Sequence, residues 1–159
     1  MARVLADRQG CYLHASGVIF EGQGLLFAGH SGAGKTTVAT SLENNAEILC
    51  DDRMIIRKTL EGFRIYGTWS HGDLPSVSAQ SAPLKAILFL RQAGENRLVP
   101  LEDKTAVVKY LLALLIKPLA TANWWEKMLT LAEEIARGVP CYTLHFKKDA
   151  NVPSLLKNL

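Results

Sequence analysis

The chain has 159 residues, 48% of them hydrophobic and 21% charged, with a formal charge of +3. At this length a protein buries about 70% of the surface that its unfolded chain exposes, so residues 1–159 are expected to form one domain around one core. The small basic excess is dispersed among acids and forms no stripe of Lys and Arg, which argues against nucleic acid or a membrane surface as partner.

Cys11, Cys50 and Cys141 lie in apolar stretches without the paired spacing of a zinc site, and read as buried free thiols. Met1 to Gly10 has no apolar core of signal-peptide length. The longest apolar run, Tyr110 to Ile116, is far shorter than the roughly 20 residues that span a bilayer. A reducing cytoplasm suits this pattern.

In chain order, Cys11–Ala15, Val18–Phe20 and Leu25–Ala28 are apolar runs separated by glycines and read as short strands joined by tight turns. After the glycine-rich segment Gly29–Thr36, Val38, Ala39 and Leu42 fall on one helical face, and Asn44-Asn45 ends that helix. Ile48-Leu49-Cys50 is a strand that runs into Asp51-Asp52, with Met54–Ile56 continuing beyond; Gly62–Tyr66 is another strand. Trp69 to Pro83 is rich in Gly, Pro and Ser and reads as a loop. Ala86–Leu90 has the pattern of a buried strand and Gly94-Glu95-Asn96 that of a turn.

Helices are expected from about Asp103 to Ile116 and from about Thr121 to Arg137, the second presenting Trp125, Met128, Leu129, Ala132, Ile135 and Ala136 to the core. The all-round apolar Leu111–Ile116 implies either full burial or a contact between copies in a homo-oligomer. Cys141–Phe146 reads as a strand, Lys147-Lys148 as its solvated end, and Pro153–Leu159 as a short helix.

The chemistry is concentrated in Gly29-His30-Ser31-Gly32-Ala33-Gly34-Lys35-Thr36, which matches the phosphate-binding loop pattern in full and lies between a strand and a helix as that pattern requires. The glycines let backbone N–H groups curl around an anion at the positive end of the following helix. Lys35 is placed for the β- and γ-phosphates of ATP and Thr36 for Mg²⁺, while Ser31 and Thr37 can donate further hydrogen bonds to phosphate. Asp51 and Asp52 end the next strand, on the sheet edge that carries the loop, so both can face the nucleotide. One is expected to hold the metal with Thr36, and the other to accept a proton from an incoming hydroxyl.

Together with Leu13-His14-Ala15, Gly22–Leu26 and Cys50-Asp51-Asp52-Arg53, this loop resembles the kinase domain of the HPr kinase/phosphorylase family, from about Leu13 to Ile56. The Gly34-Lys35-Thr36-Thr37 and Asp51-Asp52 signature is also similar to that of phosphoenolpyruvate carboxykinase. The resemblance implies an α/β P-loop fold with a mixed central sheet and helices. It further implies Mg-ATP-dependent phosphoryl transfer to a serine hydroxyl of a protein or peptide, with Asp52 as proton acceptor and His14 as a helper near the phosphoryl group. Arg64 stands where the family's magnesium-binding glutamate is expected, and the segment tied to phosphorolysis has no counterpart, so phosphorylase activity is not expected.

Two alternatives stand beside the kinase. One is a non-catalytic nucleotide-binding regulatory module, suggested by the missing glutamate. The other is a carboxykinase-like enzyme acting on a small acid, should Arg53, Arg57 and Arg64 line an acceptor pocket. His71-Gly72-Asp73 reads as turn chemistry within the loop, and His145 as a structural strand histidine.

Overall fold

The computed structural model describes residues 1–147, 151–157 and 159. Of the expected features, Lys148 at the strand end and Asn158 in the last helix lie outside the described residues. In chain order the elements are α1 (Ala2–Asp7), β1 (Gly10–Phe20), β2 (Gln23–Ala28), α2 (Lys35–Leu42), β3 (Glu47–Cys50), β4 (Arg53–Thr59) and β5 (Gly62–Tyr66). They continue with β6 (Ser81–Gln92), β7 (Arg97–Pro100), α3 (Lys104–Leu114), α4 (Ala122–Gly138), β8 (Cys141–Phe146) and α5 (Val152–Leu156). The α/β class with a mixed central sheet is as expected; α1 and β7 are additions.

One correction to the expected elements governs the architecture. Gly10 to Phe20 is a single strand of 11 residues, not two short ones. Gly17 does not end the strand, although the pairing with β3 shifts register between Gly17 and Val18; a Cβ at that position would collide with the side chain of Met54, so the missing side chain makes room for β4. The strand serves two neighbours in turn. Gly10–His14 pairs antiparallel with β4, and Ala15–Phe20 pairs antiparallel with β2 on the opposite edge. β3 pairs with Gly17–Ile19, so β3 and β4 lie end to end along one edge of β1 with Asp51-Asp52 at the break.

β6 divides in the same way. Its start, Ser81–Pro83, pairs with β5, and Leu84–Phe89 then runs parallel to β2. β1, β4, β5, β6 and β2 therefore close on one another, and β8 and the edge strand β7 extend the sheet beyond β6.

Alternation along β2 sends side chains to two apolar layers. Leu25 and Phe27 meet Val38, Ala39 and Leu42 of α2 together with Phe146, while Leu26 and Ala28 face the layer of α3 and α4. Asp103 caps α3 by accepting from the N–H groups of Thr105 and Ala106, and Thr121 caps α4 by accepting from Trp124 N–H. The expected core face of α4 is corrected by one residue in places: Trp124 and Leu131 are buried, whereas Trp125 and Leu129 are exposed. Trp125 instead lies edge-on to Trp124, with the Lys117 ammonium 5.2 Å from its ring centroid. Leu111, Leu114 and Leu115 are buried while Tyr110 and Ala113 are exposed, so α3 buries a stripe and not its whole surface. The three cysteines are free and buried. Among the described residues, no helix is long and apolar enough to cross a membrane.

The two neighbouring tryptophans give a direct test. Trp124→Ala should cost about 3–5 kcal/mol as a large core truncation, and Trp125→Ala about 1 kcal/mol or less. Urea unfolding of both variants measures the difference.

Candidate functional site

His14 and Ala15 lie where β1 changes partners, and the two halves of the candidate site flank them. On one edge, the N–H of Gly29 at the end of β2 faces the carbonyl of His14 at 3.5 Å; on the other, the N–H of Ala15 donates to the carbonyl of Asp52 at 3.1 Å. One strand thus holds the start of the phosphate loop and the acid pair at a fixed separation.

The loop takes its curl from left-handed backbone at Gly32 (φ 78°) and Gly34 (φ 103°). Gly34 also needs to be glycine for space, since a Cβ there would run into the ring of Phe146. Gln92 Nε2 donates to the carbonyl of Gly32 at 2.9 Å and ties the outer bend to the end of β6. His30 and Ser31 are exposed, and Ala33, Gly34, Thr36 and Thr37 are half-buried. Lys35 is 8% exposed and folds back, its ammonium donating to the carbonyls of Gly29 and His30, each at 3.1 Å. Burial pulls the Lys35 ammonium below the ordinary lysine range, and the carboxylates of Asp52 and Asp51 oppose that pull.

The two aspartates are not equivalent. Asp51 is 1% exposed, and its carboxylate accepts from the Gly72 N–H at 2.6 Å, the Leu74 N–H at 3.0 Å and the Thr36 hydroxyl at 3.2 Å. With its only proton given to Asp51, the Thr36 oxygen keeps its lone pairs for a cation. Asp52 is half-buried, with Arg53 Nε 3.1 Å from its carboxylate. Asp52 is also the strongest charged influence on His14, favouring the imidazolium, but burial outweighs it and leaves the His14 pKa below the 6.5 of an ordinary histidine.

No three acid, histidine or cysteine side chains converge as a metal cluster among the described residues. A hydroxyl with free lone pairs beside one buried and one half-buried carboxylate is a sparse donor set. It fits Mg²⁺, which keeps several waters and takes one or two protein oxygens beside substrate phosphates.

The expected site residues gather here: Gly29 to Thr37 follow the end of β2, Asp51 and Asp52 follow the end of β3, and His14 lies midway along β1 between them. The sequence reading did not anticipate how the 69–80 segment reaches the site through backbone N–H groups of Gly72 and Leu74. Cys50 Sγ donates to the Ser70 carbonyl at 2.9 Å, and Thr68 Oγ1 donates to the Arg53 carbonyl at 2.8 Å, pinning the same segment over the break between β3 and β4. No residue type marks a backbone donor in sequence, so only the abundance of Gly, Pro and Ser hinted at it. His71 is exposed, with Nδ1 3.2 Å from the Gly72 carbonyl. Arg64 donates to the carbonyl and hydroxyl of Ser81, which joins β5 to β6. Arg57 and Arg64 are cross-strand partners, with Arg57 four residues along β4 from Arg53, about 13 Å away.

Two measurements check this geometry. Asp51→Ala should destabilise the fold by about 1–3 kcal/mol, because the part-buried N–H groups of Gly72 and Leu74 lose a charged acceptor, and should speed proteolytic nicking of the 69–80 segment. The NMR titration of His14 should have its midpoint below 6.5, and Asp52→Asn should move it lower still by removing the carboxylate that favours the imidazolium.

Among solved structures, the Hpr(Ser) kinase/phosphatase from Coxiella burnetii is similar, with a TM-score of 0.52 and 15% sequence identity over 92% of this chain and 94% of that one. At that identity the likeness establishes the fold alone, an α/β one with a mixed central sheet. No curated protein sequence matches the chain. The profile of the family described as "SynChlorMet cassette protein ScmC" matches residues 1–151. That match spans nearly the whole chain, which therefore belongs to the ScmC family.

Proposed function

We propose that the chain is a phosphotransferase that binds Mg-ATP in the Gly29–Thr37 loop and transfers the γ-phosphoryl group to a serine hydroxyl of a protein or peptide. The observation that carries this reading is the gathering of three functions at the carboxyl ends of β2 and β3, on either side of β1. Lys35 supplies a cation for the phosphates, the Thr36–Asp51 pair a metal ligand, and Asp52 beside His14 a proton acceptor.

Phosphoryl transfer needs little covalent help from a protein, so positioning and charge neutralisation supply most of the rate. The N–H groups of the loop and the start of α2 hold the phosphate chain, and the Lys35 ammonium turns from the Gly29 and His30 carbonyls to the β- and γ-phosphates. Bound Mg²⁺ would neutralise further charge on the same oxygens, with Thr36 as protein ligand and Asp51 orienting it. Asp52 takes the proton of the acceptor hydroxyl as the new oxygen–phosphorus bond forms and the bond to ADP breaks. His14, whose pKa burial lowers against the pull of the Asp52 carboxylate, lies within electrostatic reach of both Lys35 and Asp52.

The ion pair of Asp52 with Arg53 favours a second reading, a nucleotide-binding module without turnover, because a guanidinium at 3.1 Å occupies the carboxylate that would accept the proton. The carboxykinase-like reading loses ground, since Arg57 and Arg64 are cross-strand neighbours well along the sheet from Asp52.

Single-turnover assays with labelled ATP separate the first two. Lys35→Ala should abolish transfer and weaken nucleotide binding. Asp52→Asn should bind ATP normally and lose about 10²–10⁴ in transfer rate, the range of a general base. Unchanged transfer in Asp52→Asn would remove that residue from the mechanism, and tight ATP binding by the wild-type chain with no turnover would favour the module.

A further inference from the structure

A cleft of about 370 Å³ lies against the phosphate loop on the side away from α2. Its floor is the leading half of the loop, Gly29 to Ala33, and its walls include Phe89, Arg91, Tyr110, Ala113, Leu114 and Thr143. Neither the loop motif nor the acid pair accounts for it.

We propose that this cleft is the acceptor subsite, where an apolar, preferably aromatic, side chain of a peptide substrate is seated beside the hydroxyl that receives the phosphoryl group. The proposal rests on the kinase reading above and adds the class of residue that flanks the acceptor.

The Lys35 ammonium fixes the direction of the phosphate chain. It rests on the carbonyls of Gly29 and His30, and the lysine of such a loop serves the β- and γ-phosphates. The reacting end of ATP therefore lies over the leading half of the loop, and the nucleoside runs off the other way, past Thr37. A cleft floored by Gly29 to Ala33 adjoins the reacting end and not the base.

The same corner is joined to the proton-accepting edge. Leu115 just beyond α3 bridges to Leu13, and the N–H of Ile116 donates to the Tyr12 carbonyl at 2.8 Å. This pairing occupies the edge of β1 that β2 leaves free, so the wall of the cleft is stitched to the strand that carries His14. His14 in turn feels the charges of His30, on the rim of the cleft, and of Asp52.

The lining specifies the occupant. Phe89 and Tyr110 present tilted rings 5.3 Å apart, a surface that favours an aromatic or large aliphatic group. Arg91 is the one fixed cation among the lining residues, too few for a small polyacid. Tyr110 and Ala113 are exposed on the flank of α3, so the cleft opens to solvent and the backbone on either side of an inserted side chain can stay outside.

The experiment uses serine peptides that differ only in the residue after the serine (Phe, Leu, Ala or Asp), with radiolabelled Mg-ATP and the full chain. The Phe and Leu peptides should exceed the Ala peptide in kcat/KM by about tenfold or more, the value of burying one such side chain. Ala113→Trp, which fills the cleft from an exposed helical position, should erase that preference through the peptide KM and not the ATP KM. Tyr110→Ala should shift it in the same direction. Equal labelling of the four peptides, or a rise in ATP KM matching that in peptide KM for Ala113→Trp, overturns the proposal. ATP hydrolysis without peptide keeps the two levels apart. Turnover with indifference to the flanking residue removes the acceptor subsite alone, whereas no turnover under any condition removes the kinase reading and the subsite with it.

Discussion

A carboxylate withdrawn from water must be supplied with donors, and the way Asp51 is supplied organises the site. Its three donors come from two places far apart in the chain: the hydroxyl of Thr36 at the start of α2, and the N–H groups of Gly72 and Leu74. None is dispensable, because in a low-dielectric setting each unmet hydrogen bond leaves an exposed dipole or charge with nothing to solvate it. The carboxylate thus sets the rotamer of Thr36 and draws the 69–80 segment across the break between β3 and β4. Asp52, one residue on, is left half-exposed, paired with Arg53 and within electrostatic reach of Lys35 and His14. Adjacent acids acquire different work through environment alone.

The shared strand supplies the frame in which that carboxylate acts. β1 has one edge for the phosphate loop and the other for the acids, and its register with β2 and β4 places Gly29 and Asp52 on opposite sides of the His14–Ala15 peptide. Backbone hydrogen bonds fix positions more tightly than long side chains do, so the spacing of loop and acids is a property of the sheet. Gly17 serves this arrangement by admitting Met54, and Gly34 by admitting the ring of Phe146 under the loop.

The loop from Gly29 to Thr36 was legible in sequence because its demands fall on residue types: glycine where the backbone turns left-handed, followed by the lysine and threonine that complete the pattern. Asp51 and Asp52 stood out because they interrupt an apolar run at the end of the strand that follows the loop helix. The continuity of β1 was not, since Gly17 looks the same whether it turns the chain or makes room for a neighbour. The face of α4 was misread by one position because Trp124 and Trp125 are alike in composition, and only tertiary packing decides which ring is covered. The edge strand β7 and the short α1 lack a strong period of their own. The backbone donors at Gly72 and Leu74 leave no trace in side-chain chemistry.

The closure of β1, β4, β5, β6 and β2 on one another has a further consequence. A circuit of hydrogen-bonded strands has no seam along which two lobes could part, so the loop and the acid pair keep their separation. Adjustment to a visitor is left to what hangs outside the circuit: the span pinned by Asp51 and the outer flank of α3. Evolution of a new preference in such a scaffold would rewrite those two margins and leave the ring untouched.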